Sequence, residues 1–232
     1  RRQRQMCIRD SQKLSGKTIV VDGESEYMKL TVCMSLLALN DKEKLSIKVL
    51  MLGNGNELSE KLAERNDFSL CSYEQAAATE YNFFISTGIC GLELNGTSAE
   101  YCRITNNFAR AISTAKSCLE RCILLSDYRV YGELERGLVI SENEAGFVPF
   151  SNNGDMSQTT AVSIETYFSA YAKQFNLPTI ILRSGILLGA KAELPQNFTD
   201  ELFSAVAEGK QISLPNTRKK YSFTYLNEVI HA

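Results

Sequence analysis

Apolar residues along the chain form short continuous runs that alternate with segments of helical spacing. The runs "GKTIVVDG" (16–23) and "LSIKVLML" (45–52) are rich in β-branched residues and are typical of buried strands. Between them the spacing predicts a helix. Its expected inner face consists of Met28, Val32, Ser35, Leu36 and Leu39.

The same alternation continues towards the C-terminus. The strand-like runs "EYNFFIST", "RCILLS" and "TIILRSGILLG" are separated by long helices predicted over 98–118 and 159–175. Strands alternating with helices of this length predict βαβ units and a mostly parallel, doubly wound sheet with helices on both faces. After residue 190 the pattern changes to one helix and short strand-like pieces, "ISLP" and "YSFTYL", which indicates a smaller region over 191–232.

Composition narrows the class of protein. The chain has 232 residues, of which 44% are hydrophobic and 22% charged, as in an ordinary globular protein. Its net charge of -2 argues against nucleic-acid binding, and the basic opening "RRQRQMCIRD" (within 1–12) is interpreted as a solvated extension. No apolar run approaches the roughly 20 residues of a membrane span.

Cysteine usage points to a reducing compartment. Seven cysteines, with no C-x-x-C pair, indicate free thiols in a cytoplasmic protein. Cys118 and Cys122 are four residues apart, a spacing that would place them on one helix face. Because His231 is the only histidine, we expect no metal site.

Three stretches resemble the extended short-chain dehydrogenase/reductase family, in its NAD-dependent nucleotide-sugar epimerase/dehydratase branch. They are "RCILLSDYRVYGE" (121–133), "ETYFSAYAKQFNLPTIILRSGILLG" (165–189) and "RKKYSFTYLNEVIHA" (218–232). The resemblance covers about 13–232. It implies a Rossmann-type NAD(P)-binding domain over 13–190, then a partial substrate subdomain and return segment over 191–232, with a C-terminus that looks truncated.

The family's cofactor loop, G-x-x-G-x-x-G, falls at Gly23, Glu26 and Lys29. Only the first glycine is present. Glu26 adds bulk and negative charge where the pyrophosphate of a dinucleotide would approach, so this turn can equally be an ordinary strand–helix junction. The family's ribose-reading position falls near Asn54, which could bind a hydroxyl or belong to a plain "GNGN" turn.

The family's catalytic Ser/Thr, Tyr and Lys fall at Asp127, Ser157 and Ala161, and no Y-x-x-x-K occurs in the chain. A serine hydroxyl is too weak an acid to replace the tyrosine, and alanine carries no charge. A relocated pair, Tyr167 and Lys173, is six residues apart and faces in different directions on a helix. Arg183 is either a structural ion-pair partner or a contact to a substrate phosphate.

These replacements predict a catalytically degenerate relative, a pseudoenzyme with a binding or assembly role. The alternative is an active NAD(P)-dependent sugar-nucleotide epimerase or dehydratase with a rearranged site. For the degenerate protein we expect no cofactor, and for the active enzyme NAD or NADP. The expected partners are a nucleotide sugar or an active paralogue, with a homo- or heterodimer formed through helices 98–118 and 159–175, as the resemblance implies.

Overall fold

A computed structural model describes residues 11–92, 97–132, 140–142, 156–189, 204–211 and 222–232. Its centre is a six-stranded parallel sheet with the strand order β3-β2-β1-β4-β5-β6. The strands are β1 (Thr18–Asp22), β2 (Lys48–Leu52), β3 (Phe68–Cys71), β4 (Tyr81–Ser86), β5 (Cys118–Asp127) and β6 (Thr179–Ser184). The predicted doubly wound, Rossmann-like sheet is confirmed.

Helices cover both faces of this sheet. They are α1 (Glu26–Glu43), α2 (Glu57–Leu62), α3 (Tyr73–Ala78), α4 (Ser98–Thr114), α5 (Met156–Phe175) and α6 (Leu226–His231). The core under α4 and α5 includes Phe84, Phe108 and Phe168. The opposite core, under α1, includes Met28 and Met51. Because β1 alternates between the two cores, every one of its side chains from Ile19 onward is buried, as expected of a central parallel strand.

Helix α1 starts where its sequence supplies a cap. The Ser25 side chain accepts a hydrogen bond from Met28 N–H at 3.3 Å, which satisfies one of the free donors of the first turn. Met28 and Val32 are buried as predicted. Leu36 and Leu39 are partly buried and pack against the same core, and Ser35 is partly buried. Other residues of α1 are fully buried beside them. These are Lys29, Leu30, Cys33, Leu37 and Asn40.

The helix predicted over 98–118 ends earlier than expected. Thr114 is its last residue, a single 3-10 turn follows, and Cys118 opens β5. Cys118 and Cys122 therefore both lie on a strand, which excludes the possibility that they share a helix face. The reason is tertiary: β5 pairs with β4 from Tyr81 onward, so its backbone is committed to the sheet.

The run "TIILRSGILLG" also differs from its prediction as one strand. It forms β6 and then β7 (Ile186–Leu188), which pairs with β8 (Phe223–Tyr225) in a separate two-stranded sheet. The break falls at Gly185, where a Cβ would overlap the carbonyl of Ser222. A side chain at this position would therefore prevent the close approach of the two segments.

Two short elements, β3 and α3, were not predicted from the sequence. The predicted piece "ISLP" (212–215) and most of the basic extension lie outside the described residues. The division of the chain near residue 190 stays a prediction. Within the described ranges, none of the helices combines the length and the hydropathy needed to cross a bilayer.

Candidate functional site

The candidate site lies at the carboxyl edge of the sheet, where the strand order reverses between β1 and β4. Crevices of doubly wound sheets open at this point. Gly23 leaves β1 with φ +150°, and a Cβ there would overlap Thr87 Oγ1. Thr87 N–H donates to Asp22 O at 2.8 Å, and Glu24 N–H donates to Gly88 O at 3.1 Å. The turn after β1 is therefore held tightly against the end of β4.

The second and third positions of the expected glycine loop contain an ion pair. Lys29 Nζ lies 3.1 Å from Glu26 Oε2 and 3.4 Å from Leu52 O, and only 7% of Lys29 is exposed. The other carboxylate oxygen, Glu26 Oε1, is buried without a partner in the described structure. The lysine side chain thus extends from α1 to the end of β2, across the start of the crevice.

Asp22, at the end of β1, is a buried carboxyl group beside this pair. Burial raises its pKa from 3.8 to about 6, although Lys29 and a hydrogen bond from Ser86 lower it. Ser86 Oγ donates to Asp22 Oδ2 at 3.2 Å. The residues around the turn therefore bring three carboxyl groups, Asp22, Glu24 and Glu26, to the place where a ligand anion would approach.

Glu24 connects the turn to helix α4. Its carboxylate accepts hydrogen bonds from Arg103 Nη1 at 2.9 Å and from Asn107 Nδ2 at 2.8 Å. The carboxylate side chain is 14% exposed, so these contacts are partly shielded from water. Sequence reasoning missed this contact, because 79 residues separate Glu24 from Arg103 and no local motif signals it.

An open cleft of about 800 Å³ continues from the turn towards β3. Asn54 lines it, whereas Asn56 caps helix α2. Tyr73 forms one wall, and the Arg110 guanidinium lies 4.5 Å from its ring centroid. Burial raises the pKa of Tyr73 to about 12, and the nearby carboxyl groups of Asp22 and Glu24 add to this rise. The tyrosine hydroxyl therefore stays protonated at neutral pH.

At the end of β5, the residue at the position of the family's Ser/Thr is Asp127, which forms an ion pair with Arg129. Asp127 Oδ2 accepts from Arg129 Nε at 2.8 Å, and the Asp127 carboxylate also caps the following turn at Arg129 N–H. Arg129 Nη2 donates to the carbonyls of Ile89 and Leu92. The carboxylate and the guanidinium thus fasten the loop after β4 to the end of β5.

The positions of the family's tyrosine and lysine lie inside the protein. Ser157 is 5% exposed and Ala161 is 2% exposed, both on the inner side of α5. Tyr167 and Lys173, the pair considered as a relocated dyad, are both exposed on the same helix. Neither set of residues places a tyrosine hydroxyl and an ammonium group together at the crevice.

Arg183 makes several contacts within the protein. Its Nε and Nη2 atoms bind the Glu165 carboxylate at 3.0 and 2.8 Å, and Nη1 donates to Glu142 O at 2.9 Å. The guanidinium also lies 4.9 Å from the ring centroid of Tyr131. A second cleft of about 460 Å³ is lined by Arg183 together with Glu228. Of the two interpretations offered by the sequence, these contacts favour the structural ion pair.

Over the ranges that the structure describes, no three His, Cys, Asp or Glu side chains come together in a way that could hold a metal ion.

Comparison with solved structures identifies the fold. UDP-glucuronic acid 4-epimerase from Bacillus cereus, in complex with NAD, is similar with a TM-score of 0.68 and 18% identity over 92% of this chain and 71% of that one. dTDP-glucose 4,6-dehydratase from Bacillus anthracis, also in complex with NAD, has a TM-score of 0.64 and 13% identity over 92% and 69%. The chain has the fold of the NAD-dependent epimerases and dehydratases.

A third protein with this epimerase/dehydratase fold is ADP-L-glycero-D-manno-heptose-6-epimerase from Helicobacter pylori. Its TM-score is 0.66 and its identity 13%, over 94% of this chain and 72% of that one. No protein-family model and no curated protein matches the sequence. Since two of the three structures named here contain NAD, the comparisons do not support the expectation that no cofactor binds.

Proposed function

We propose that the chain is a catalytically degenerate protein of the epimerase/dehydratase fold, with a binding or assembly role. The observation that carries this proposal is the burial of Ser157 and Ala161 on α5. The family's proton transfer needs a tyrosine hydroxyl and a lysine ammonium here, and neither chemical group is available. Asp127, at the position of the family's Ser/Thr, is paired with Arg129.

The cofactor position supports the same proposal. A dinucleotide pyrophosphate needs close backbone approach and a positive helix N-terminus. The turn instead carries the Glu26–Lys29 ion pair and the buried carboxyl group of Asp22. At about 4 Å, each like-charge contact costs roughly 4 kcal/mol near a protein surface. We therefore propose that the chain binds neither NAD nor NADP.

A turnover assay tests the loss of catalysis. The protein is incubated with NAD⁺ and, in separate reactions, UDP-glucuronic acid or dTDP-glucose, with the Bacillus cereus epimerase as positive control. We expect neither a new sugar nucleotide by chromatography nor NADH absorbance in the near ultraviolet. Product that disappears in an Asp127→Asn variant would instead establish the active enzyme with a rearranged site.

Thermal unfolding tests the binding role. A ligand raises the Tm only when it binds the native state in preference to the unfolded state. We expect no shift with NAD⁺ or NADP⁺, whereas a rise with UDP-glucuronic acid alone would support a nucleotide-sugar partner. A rise of several degrees with NAD⁺ would contradict the proposed loss of the cofactor.

The assembly role is proposed for the paired helices α4 and α5. They lie side by side, with Tyr171 Oη donating to Ser113 O at 3.2 Å, and Tyr167 is 46% exposed on α5. We expect a homodimer, or a heterodimer with an active paralogue, in sedimentation velocity. Tyr167→Lys should weaken it, and a monomer at high concentration would count against the homodimer.

The cysteines support a cytoplasmic location for this proposed role. Six of them lie among the described residues, and all six are free thiols. Free, mostly buried thiols are typical of a reducing compartment. The location is tested by fractionating cells that express the full protein, and recovery only from an oxidising compartment would contradict it.

A further inference from the structure

We propose that the outer edge of β6 pairs with β6 of a second copy of the chain. The pairing is antiparallel and centred on Ile181, so that the two sheets become continuous. The strand order ends at β6, and within the described residues no strand lies on its outer side. This surface is separate from the α4–α5 face and goes beyond the proposed function.

The backbone of β6 presents hydrogen-bonding groups on its outer side. On its inner side, Pro178 O accepts from Cys122 N–H at 2.9 Å. Because backbone groups alternate in direction along a strand, those of Thr179, Ile181 and Arg183 point away from β5. Arg183 as a whole is exposed although only 27% of its side chain is, so part of its accessible surface is backbone.

The opposite edge strand, β3, carries features that usually prevent strand addition. It has only four residues, and immediately before it Arg65 forms ion pairs with Asp41 and Asp67. Strand β6 has six residues, and its apolar residues at 180–182 are only partly buried. Its one charged side chain, Arg183, is already paired. Of the two edges, β6 is therefore the one open to pairing.

Open space adjoins the β6 edge. The second cleft, of about 460 Å³, is lined by residues 181–184 and by Glu228 and Val229 of α6. The outward groups of Ile181 and Arg183 are therefore accessible from the side on which a further strand would lie.

The sequence of β6 is complementary to itself in one register. With Ile181 opposite its counterpart, Ile180 faces Leu182 and Thr179 faces Arg183, so apolar residues meet apolar ones and polar residues meet polar ones. The outward residues then exchange hydrogen bonds in both directions. The two copies of Arg183 lie about 13 Å apart along the strands, whereas centring the pair on Arg183 would place like charges opposite each other.

A disulfide cross-link in the full chain tests this register. The two Cα atoms of residue 181 would be about 5.5 Å apart, a distance that a disulfide can span. Under mild oxidation we expect Ile181→Cys to give a covalent dimer on non-reducing gels, well above the level of the original protein. Thr179→Cys, about 13 Å from its counterpart, should stay at that level. The matched control is Ser69→Cys, at an exposed position of the β3 edge.

Sedimentation velocity tests the pairing without a cross-link. Ile181→Pro removes an outward N–H and no hydrogen bond to β5, and edge strands tolerate such a proline. Both samples carry Tyr167→Lys, which weakens the α4–α5 contact. We expect a dimer when residue 181 is isoleucine and a monomer when it is proline.

Each outcome decides the proposal. No cross-link in a folded Ile181→Cys variant would overturn it, as would equal cross-linking of Thr179→Cys or Ser69→Cys, or a dimer that persists with proline. If Ile181→Pro does not fold, the cross-link alone decides. Loss of the α4–α5 dimer would leave the Ile181→Cys cross-link in place, so failure of that assembly role can be told apart from failure of this pairing.

Discussion

Replacement of Asp22 by asparagine should stabilise the protein at neutral and alkaline pH. In the folded protein, burial raises the pKa of Asp22 from 3.8 to about 6. The folded state therefore favours the protonated carboxyl group. The stabilisation that this preference provides is complete below about pH 3.8 and is lost as the pH rises through about 6.

The magnitude follows from the pKa change. Each tenfold change in acidity corresponds to about 1.4 kcal/mol, so the full effect on the free energy of unfolding is about 3 kcal/mol. About 2 kcal/mol of this falls between about pH 4.5 and pH 8. The asparagine introduced by Asp22→Asn is neutral at every pH, and its amide can keep hydrogen bonds to Ser86 and to the Gly23 backbone.

Urea unfolding followed by circular dichroism at several pH values measures this effect. The stability of Asp22→Asn relative to the original protein should increase by about 2 kcal/mol from about pH 4.5 to pH 8. Asp41→Asn is the control: a hydrogen bond from Arg65 lowers the pKa of this exposed carboxyl group below its usual 3.8, so its stability contribution changes only at more acidic pH and its relative stability should stay nearly constant from about pH 4.5 to pH 8. A relative stability of Asp22→Asn that is flat or falls with pH would refute the reasoning.

Three further substitutions test particular contacts. Gly23→Ala should lower the free energy of unfolding by about 1 to 3 kcal/mol, because the new Cβ overlaps Thr87 Oγ1. In a double-mutant cycle, the same substitution should cost less in a Thr87→Ala background, and equal losses in both backgrounds would exclude the overlap. Ala161→Lys introduces the family's lysine at a position that is only 2% exposed. Because this would bury an unpaired charge, the urea midpoint of unfolding should fall sharply, and an unchanged midpoint would mean that solvent reaches this side chain. Glu165→Gln should lower the free energy of unfolding by about 2 kcal/mol, since Arg183 loses its charged acceptor. Thermal unfolding measures this loss, and an unchanged Tm would show that the ion pair does not contribute to stability.

The parallel sheet could be predicted from the sequence because its strands are continuous apolar runs. Such runs are required wherever both faces of a strand are covered, as for Val20 and Val21 in β1. Strand β3 escaped prediction because it is short and has an exposed residue, Ser69, at the edge of the sheet. The ends of helices could not be predicted where pairing with a neighbouring strand, rather than local propensity, decides the boundary, as at Cys118.

Within the candidate site, the sequence predicted positions but not contacts. Gly23, Glu26 and Lys29 could be located because they follow β1 at fixed spacing. That Glu26 and Lys29 pair with each other could be inferred from their i, i+3 relation on a helix. The contact from Glu24 to Arg103 could not, because it depends on how α4 packs against the sheet.

The place of β1 in the sheet has a consequence for how the chain folds. Val20 pairs with Leu50 on one side and with Phe84 on the other, so the first strand of the sheet is also a central one. It cannot be enclosed until β4 has been synthesised and the long connections between these strands have closed. Parallel sheets with such distant partners fold slowly. During synthesis, the apolar segment at 18–22 therefore remains exposed to aggregation and to chaperones until residue 86 has emerged from the ribosome.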